Sequence, residues 1–317
     1  MPSRPTALAS ACASWIIVAL LLTSCAAMAP SPPPKPVLRV PVSAGDLAAQ
    51  MAVEEFASRF PGVALQLDAG VGSPIDAWAQ KLCAPTEGLG RVAAKEVLAG
   101  AVPKTVYVLA EITAREAAEA SVFRSAMKAA GVRVALSTVV HKGERDFSPA
   151  LNRAAVDQPE LILFAGKPDA AARFLQQLKG RRLDIPLLVA DTHRQGSVIA
   201  GATTLTAVPP LALSPEAASF VTAYQAKAGR VPQWSAACTY DATRAWLLAA
   251  ALARSARGGA LPSGDEVEAE RMAVNFAGAT GPVAFTGQGQ RQSQAYALLK
   301  LGPGGPERIK AITAQGG

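Results

Sequence analysis

TVYVLAE (Thr105–Glu111), ITAREAAEASVFRSAMKAAG (Ile112–Gly131) and VRVALSTVV (Val132–Val140) run consecutively, and their reading decides the fold. They form an apolar run, an amphipathic run ending in Gly, and a second apolar run. The pattern then continues through FSPALNRAAVDQPE (Phe147–Glu160), LILFAG (Leu161–Gly166), PDAAARFLQQLKGRRL (Pro168–Leu183) and PLLVA (Pro186–Ala190). Strands rich in Val, Leu and Ile with little polar alternation suit a sheet covered on both faces. The helices between them supply crossovers, so the stretch predicts an α/β fold with a doubly wound parallel sheet. Ligands of such sheets bind outside the carboxyl ends of the strands. That places Glu111, Gly166–Lys167, Asp191, Thr192 and His193 at the candidate site.

A chain of 317 residues with half its residues apolar can bury a large core, in one domain or two. The formal charge of +7 does not point to nucleic acid. Its basic residues are scattered, apart from Lys179-Gly180-Arg181-Arg182, with no aromatic side chains interleaved for base stacking. The two histidines, His141 and His193, are far apart, so no zinc spacing exists and no metal or other cofactor is expected. There is no Gly-x-Ser-x-Gly elbow and no CxxC pair. Asp146, Asp157 and Glu160 fall at helix starts and turns, where capping accounts for them. An enzyme is not expected.

The N-terminus reads as an export signal over residues 1–24. Arg4 supplies its positive region, and WIIVALLL (Trp15–Leu22) is an apolar core too short to span a bilayer. Leu22-Thr23-Ser24-Cys25 resembles a bacterial lipobox, with Cys25 as the lipidated residue; the other reading is an ordinary secretory signal cut elsewhere. Residues 25–36 include Pro30-Ser31-Pro32-Pro33-Pro34-Lys35-Pro36, a polyproline spacer suited to holding a body off a membrane.

Around the central repeat lie two less regular segments. VLRVPV (Val37–Val42), a helix capped by Asp46 and running through Phe60, VALQLDAG (Val63–Gly70) and a helix over Ile75–Leu82 make one βαβ unit and little more. A helix over Thr86–Ala99 precedes the repeat, and Leu205–Val208 is a short strand before Pro209-Pro210. Beyond it, Ser214 is placed to cap a helix through Ala228, Ser235–Ala256 is a long Ala/Leu helix, and Asp265–Phe276 is another. Gly281–Gln290 followed by QAYALLKL (Gln294–Leu301) reads as a hairpin, and the stretch after Gly302, set apart as a tail at 311–317, as loosely ordered.

Several of these stretches resemble one family. Ala130-Gly131-Val132 leads into a strand, Arg145-Asp146-Phe147-Ser148 precedes a helix, and Phe164-Ala165-Gly166 precedes Pro168-Asp169-Ala170. Phe220-Val221 with Tyr224, Thr239-Tyr240-Asp241-Ala242, and Thr280-Gly281-Pro282-Val283 with Phe285 follow in order. Together they are similar to the type I periplasmic binding proteins, specifically the branched-chain amino acid receptors of ABC transporters. The resemblance implies two lobes joined by a hinge that the chain crosses three times: lobe 1 at 37–83 with 211–292, and lobe 2 at 84–210 with 293–310. A ligand would sit between them and closure would signal to a membrane permease.

The chain departs from that family in lobe 1. Further βα units usual between Leu82 and Thr86, with the turns that hold a ligand carboxylate, are missing, so lobe 1 is reduced. Lys167 stands where the family has Tyr, and Asp191 stands near the usual ammonium acceptor. Cys83 and Cys238, both assigned to lobe 1, could pair in an oxidising compartment or remain two thiols. The resemblance implies an extracytoplasmic, membrane-anchored receptor for a small polar, amino acid-like solute, partnered by an ABC permease. The alternative is an envelope lipoprotein that uses the same fold as a scaffold for another cell-envelope protein.

Overall fold

The computed structural model describes residues 34–42, 46–68, 73–83, 88–192 and 197–315. The export signal, Cys25 and His193 lie outside the described residues. Chain contacts separate Met1–Pro36 from Val37–Gly317, and all the described elements fall in the second unit.

The repeat folds as its apolar runs dictate. It contributes β3 (Thr105–Glu111), α4 (Ala114–Ala129), β4 (Arg133–Val140), α5 (Ser148–Asp157), β5 (Leu161–Gly166), α6 (Pro168–Gly180) and β6 (Leu187–Asp191). Adding β7 (Thr203–Thr206), β10 (Ser293–Gly302) and β11 (Gly305–Gln315) gives a seven-stranded sheet, ordered β11-β10-β7-β6-β5-β3-β4. The five strands from β7 to β4 run parallel; β10 and β11 are antiparallel additions. Successive β3 side chains go to opposite faces. Val106, Val108 and Ala110 pack with α4 and with α3 (Leu89–Ala99). Tyr107 and Leu109 pack with α5 and α6. Both faces are therefore covered, which is why these strands read as continuous apolar runs.

One close approach fixes α3 on its face. The N–H groups of Gly88 and Gly90 donate to the buried Glu119 carboxylate of α4, at 2.9 and 2.5 Å. A Cβ at Gly90 would run into the Glu119 main-chain carbonyl, so only glycine lets the helices meet there.

The smaller sheet holds two parallel strands, β1 (Val37–Pro41) and β2 (Ala64–Asp68). Leu38 and Val40 of β1 pack against α1 (Leu47–Phe56), α2 (Pro74–Cys83) and the long α8 (Trp234–Ala256). As the sequence suggests, Asp46 caps α1, accepting from the Ala48 and Ala49 N–H groups at 2.8 and 3.1 Å. A neighbouring core joins Ala48, Met51 and Ala52 to Phe220 and Tyr224 of α7 (Ala218–Ala228) and to Tyr240.

Four expectations need correction. Ser214 makes no side-chain cap; Pro215–Ala217 is a single 3-10 turn before α7. The helix expected over Asp265–Phe276 divides: Ser263 and Glu266 close a capping box that starts α9 (Gly264–Ala269), and a 3-10 turn and β8 (Asn275–Gly278) follow. The hairpin is made differently: β9 (Gly281–Ala284) pairs with β8, and β10 goes to the large sheet. The stretch after Gly302 is ordered. A tight turn with Gly305 at φ 118° starts β11, which continues through Gln315, so residues expected as a tail form the sheet's edge.

Cys83 at the end of α2 and Cys238 in the second turn of α8 face each other as a disulfide pair, with Cα atoms 5.8 Å apart across a sequence separation of 155. Loop-closure entropy for a link of that span is worth about 5 kcal/mol. Peptide mapping of the unreduced protein should recover the two cysteines joined, and reduction should lower the unfolding free energy by an amount of that order.

Candidate functional site

Strand order reverses at β3. The chain passes from β3 to β4 on one side and then returns to β5 on the other, which makes a switch point at the carboxyl ends of β3 and β5. Glu111 ends β3 and Gly166 ends β5, as the sequence reading placed them. The structure adds what Glu111 does there. It is buried, and its carboxylate accepts from the Lys167 N–H at 2.5 Å. Its Oε2 and Cγ lie 2.7 and 2.8 Å from where a Cβ on Gly166 would be, so Glu111 fills the space that this glycine leaves. A carboxylate on the first N–H of α6 also meets the positive end of the helix.

Asp191 ends β6 and Thr192 follows it, and both are fully buried. The Thr206 hydroxyl donates to Asp191 at 3.1 Å, and the Thr192 hydroxyl donates to Glu116 of α4 at 2.7 Å. Arg115 reaches the Thr192 carbonyl at 3.5 Å. The structure thus brings Glu111, Lys167, Asp191 and Thr192 to one end of one sheet. It also adds Glu116 and Thr206, which the sequence reading missed because helix-face and strand-end residues of those types carry no local signal. Lys167 differs from the buried members. It is half-buried, its main chain caps α6 without a side-chain bond, and its ammonium makes no hydrogen bond or ion pair among the described residues. Among those residues no group of three or more His, Cys, Asp or Glu could hold a metal ion, and no helix is long and apolar enough to cross a membrane.

A second polar cluster lies where α8 meets the β8–β9 hairpin. Asp241 is fully buried; its Oδ1 accepts from the Ala279 N–H at 2.9 Å, and its Oδ2 accepts from the Thr280 N–H and hydroxyl, both at 2.7 Å. Burial pushes the Asp241 carboxyl above the usual carboxylate range, against the pull of those donors. Gly278 lies against it, with Oδ2 2.5 Å from a Cβ position there. Thr280 passes the contact on, since its carbonyl accepts from Arg291 at 2.9 Å. The Thr239-Tyr240-Asp241-Ala242 and Thr280-Gly281-Pro282-Val283 patterns are therefore two halves of one hydrogen-bonded joint, in line with a reading of helix packing and local bonding.

The chain matches the family model described as periplasmic binding protein over residues 77–306. No curated protein matches it in sequence. Solved structures do. A protein assigned to a branched-chain amino acid ABC transporter of Rhodospirillum rubrum superposes with a TM-score of 0.68 at 18% identity, covering 87% of this chain and 100% of that one. An ABC transporter substrate-binding protein of Desulfitobacterium hafniense, solved with Leu, gives 0.61 at 14% identity, over 86% and 100%. A solute-binding protein of R. palustris, solved with benzoate, gives 0.54 at 16%, over 89% and 98%.

Replacing Asp241 by Asn would set an amide NH2 against N–H donors. A loss of about 1–3 kcal/mol is expected, read by denaturant unfolding, with the far-UV spectrum unchanged. By its sequence match over most of its length, and by a doubly wound sheet with its polar end at a switch point, the chain belongs to the periplasmic binding protein family, with the type I fold.

Proposed function

We propose that the protein is an extracytoplasmic solute-binding protein of an ABC-type uptake system, anchored through a lipid on Cys25, and that it is not an enzyme. It takes a small polar, amino acid-like solute between two lobes: residues 37–83 with 211–292, and residues 84–210 with the β10–β11 hairpin. The observation that carries the reading is the polar end of the large sheet. There Glu111, Asp191 and Thr192 are held by internal hydrogen bonds, while the Lys167 ammonium has no partner among the described residues. Lys167, with His193, the residue after Thr192 in sequence, contacts the solute; the buried acids and Thr192 shape the rim. An ammonium in that place suits a carboxylate on the ligand, and a charge-assisted hydrogen bond of this kind contributes about 1.5–3 kcal/mol.

One observation favours a second reading. Among the described residues the smaller sheet pairs β1 with β2 alone, which leaves little wall on that side of a cleft. A scaffold lipoprotein that binds another cell-envelope protein would need no solute.

A thermal-shift panel of amino acids, amides, small carboxylates and sugars separates the two. A solute at 100 times its dissociation constant adds about 2.7 kcal/mol to the folded state. The receptor reading expects such a hit, weakened at least tenfold by Lys167→Ala. A cooperative melt unmoved by the whole panel would favour the scaffold.

A further inference from the structure

Away from the sheet end, a cavity of about 490 Å³ opens between α1, α7, α8 and β8. That is within the usual range for small-molecule sites, roughly 300–1,000 Å³. Its floor is aromatic, with the Phe220 and Tyr240 ring centroids 4.6 Å apart. Its charges are ordered by depth. Arg244 lies inside, with its side chain 20% exposed. Glu54, Glu55 and Glu216 stand nearer the mouth, at 44–49%.

Arg244 is held by stacking and has few polar partners. Its guanidinium carbon lies 4.8 Å from the Phe276 ring centroid, 5.3 Å from Tyr240 and 5.7 Å from Phe56. Rings cover its faces, and the edges of the fork carry the donors. Its ion pair with Glu55 is long, at 3.7 Å and beyond hydrogen-bond reach, and its buried Nε has no hydrogen-bond partner among the described residues. Glu55 is engaged instead by the Tyr240 hydroxyl. At the mouth, Lys227 pairs with Glu54 at 2.6 Å and Arg308 with Glu216 at 3.4 Å. These are half-exposed pairs that exchange partners at little cost.

We infer that this cavity is a second ligand site, distinct from the sheet-end rim, for a small dipolar molecule bearing a carboxylate and a protonated amine. The carboxylate meets Arg244 edge-on in the interior, the amine stays among the glutamates at the mouth, and the apolar part lies on Phe220 and Tyr240. A simple anion would leave the glutamates at the mouth without a ligand partner, and a simple cation would meet Arg244, so neither half suits the cavity as the whole does.

Calorimetric titration of the full chain tests this with leucine and 6-aminohexanoate as dipolar probes, hexanoate as the carboxylate alone and hexylamine as the amine alone. At least one dipolar probe should bind at least tenfold more tightly than either half. Arg244→Met should weaken it tenfold or more, Arg244→Lys should restore part of the loss, and Glu55→Gln with Glu216→Gln should weaken it severalfold. Any component of the heat lost with Lys167→Ala belongs to the sheet end; the component assigned to this cavity is the one that Arg244→Met removes. If Arg244→Met fails to fold, the surface glutamate pair decides alone. The site is refuted if no probe gives heat with folded protein at millimolar concentration, if the halves bind as well as the whole, or if binding follows Lys167 and ignores Arg244 and the glutamates.

Discussion

A buried guanidinium ties the structure together. Arg291 donates to the Leu82 carbonyl at the end of α2 at 2.9 Å, to the Thr280 carbonyl at 2.9 Å, and to the Pro282 carbonyl from both Nη2 and Nε, at 2.8 and 3.0 Å. Burial pushes its pKa down to about 10, while the field of Asp241 opposes that shift. An unsatisfied charge in such a place would cost several kcal/mol, so three carbonyls must be held at fixed positions around it. Those carbonyls belong to the segment leaving α2 and to the β8–β9 hairpin, and Arg291 itself lies two residues before β10. Thr280 links the same point to Asp241, and hence to α8. The Cys83–Cys238 pair lies beside it, one residue beyond Leu82 and three before Asp241. The chain's exit from α2 and its approach to β10 are therefore tied to the β8–β9 hairpin and to α8 by a few directional bonds.

With the passages fixed, the large sheet can present its polar end. Its inner strands β3, β5 and β6 are apolar on both faces, and polarity collects where they stop. Glu111 closes the switch point from within by occupying the place of a missing Cβ at Gly166, and Asp191 and Thr192 are held by Thr206 and Glu116. The buried acids are thus held within the rim, and Lys167 is the member whose ammonium makes no hydrogen bond or ion pair among the described residues.

The large sheet was legible because each strand is an apolar run bounded by an amphipathic one, and both signals are local. The switch-point residues followed from strand order alone. Other parts could not be read in this way. β8 was hidden because residues 265–276 keep a helical spacing of apolar side chains, and the capping box that starts α9 gives no sign of where the helix ends. β11 was hidden because GPERIKAITAQ is charged and starts with Gly and Pro, as an exposed edge strand can be. Arg291 sits among Gln, Gly and Ser residues that read as a surface turn, and its burial depends on carbonyls up to 209 residues away. Arg244 lies on a helix whose other members are mostly Ala and Leu, and only the tertiary fold places three rings around it. Asp241 and Thr280 stood out as patterns; that they bond to each other did not.

Native-state hydrogen exchange of the Ala279 and Thr280 amides tests the central claim most directly. If the Asp241–Thr280–Arg291 joint holds the passages, both amides should exchange only through global unfolding, with the same free energy and denaturant dependence as the most protected amides of β3 and β5. Exchange through a local opening several kcal/mol below the global value, with the β3 and β5 amides still protected, would show that the joint is a peripheral contact and would contradict the account.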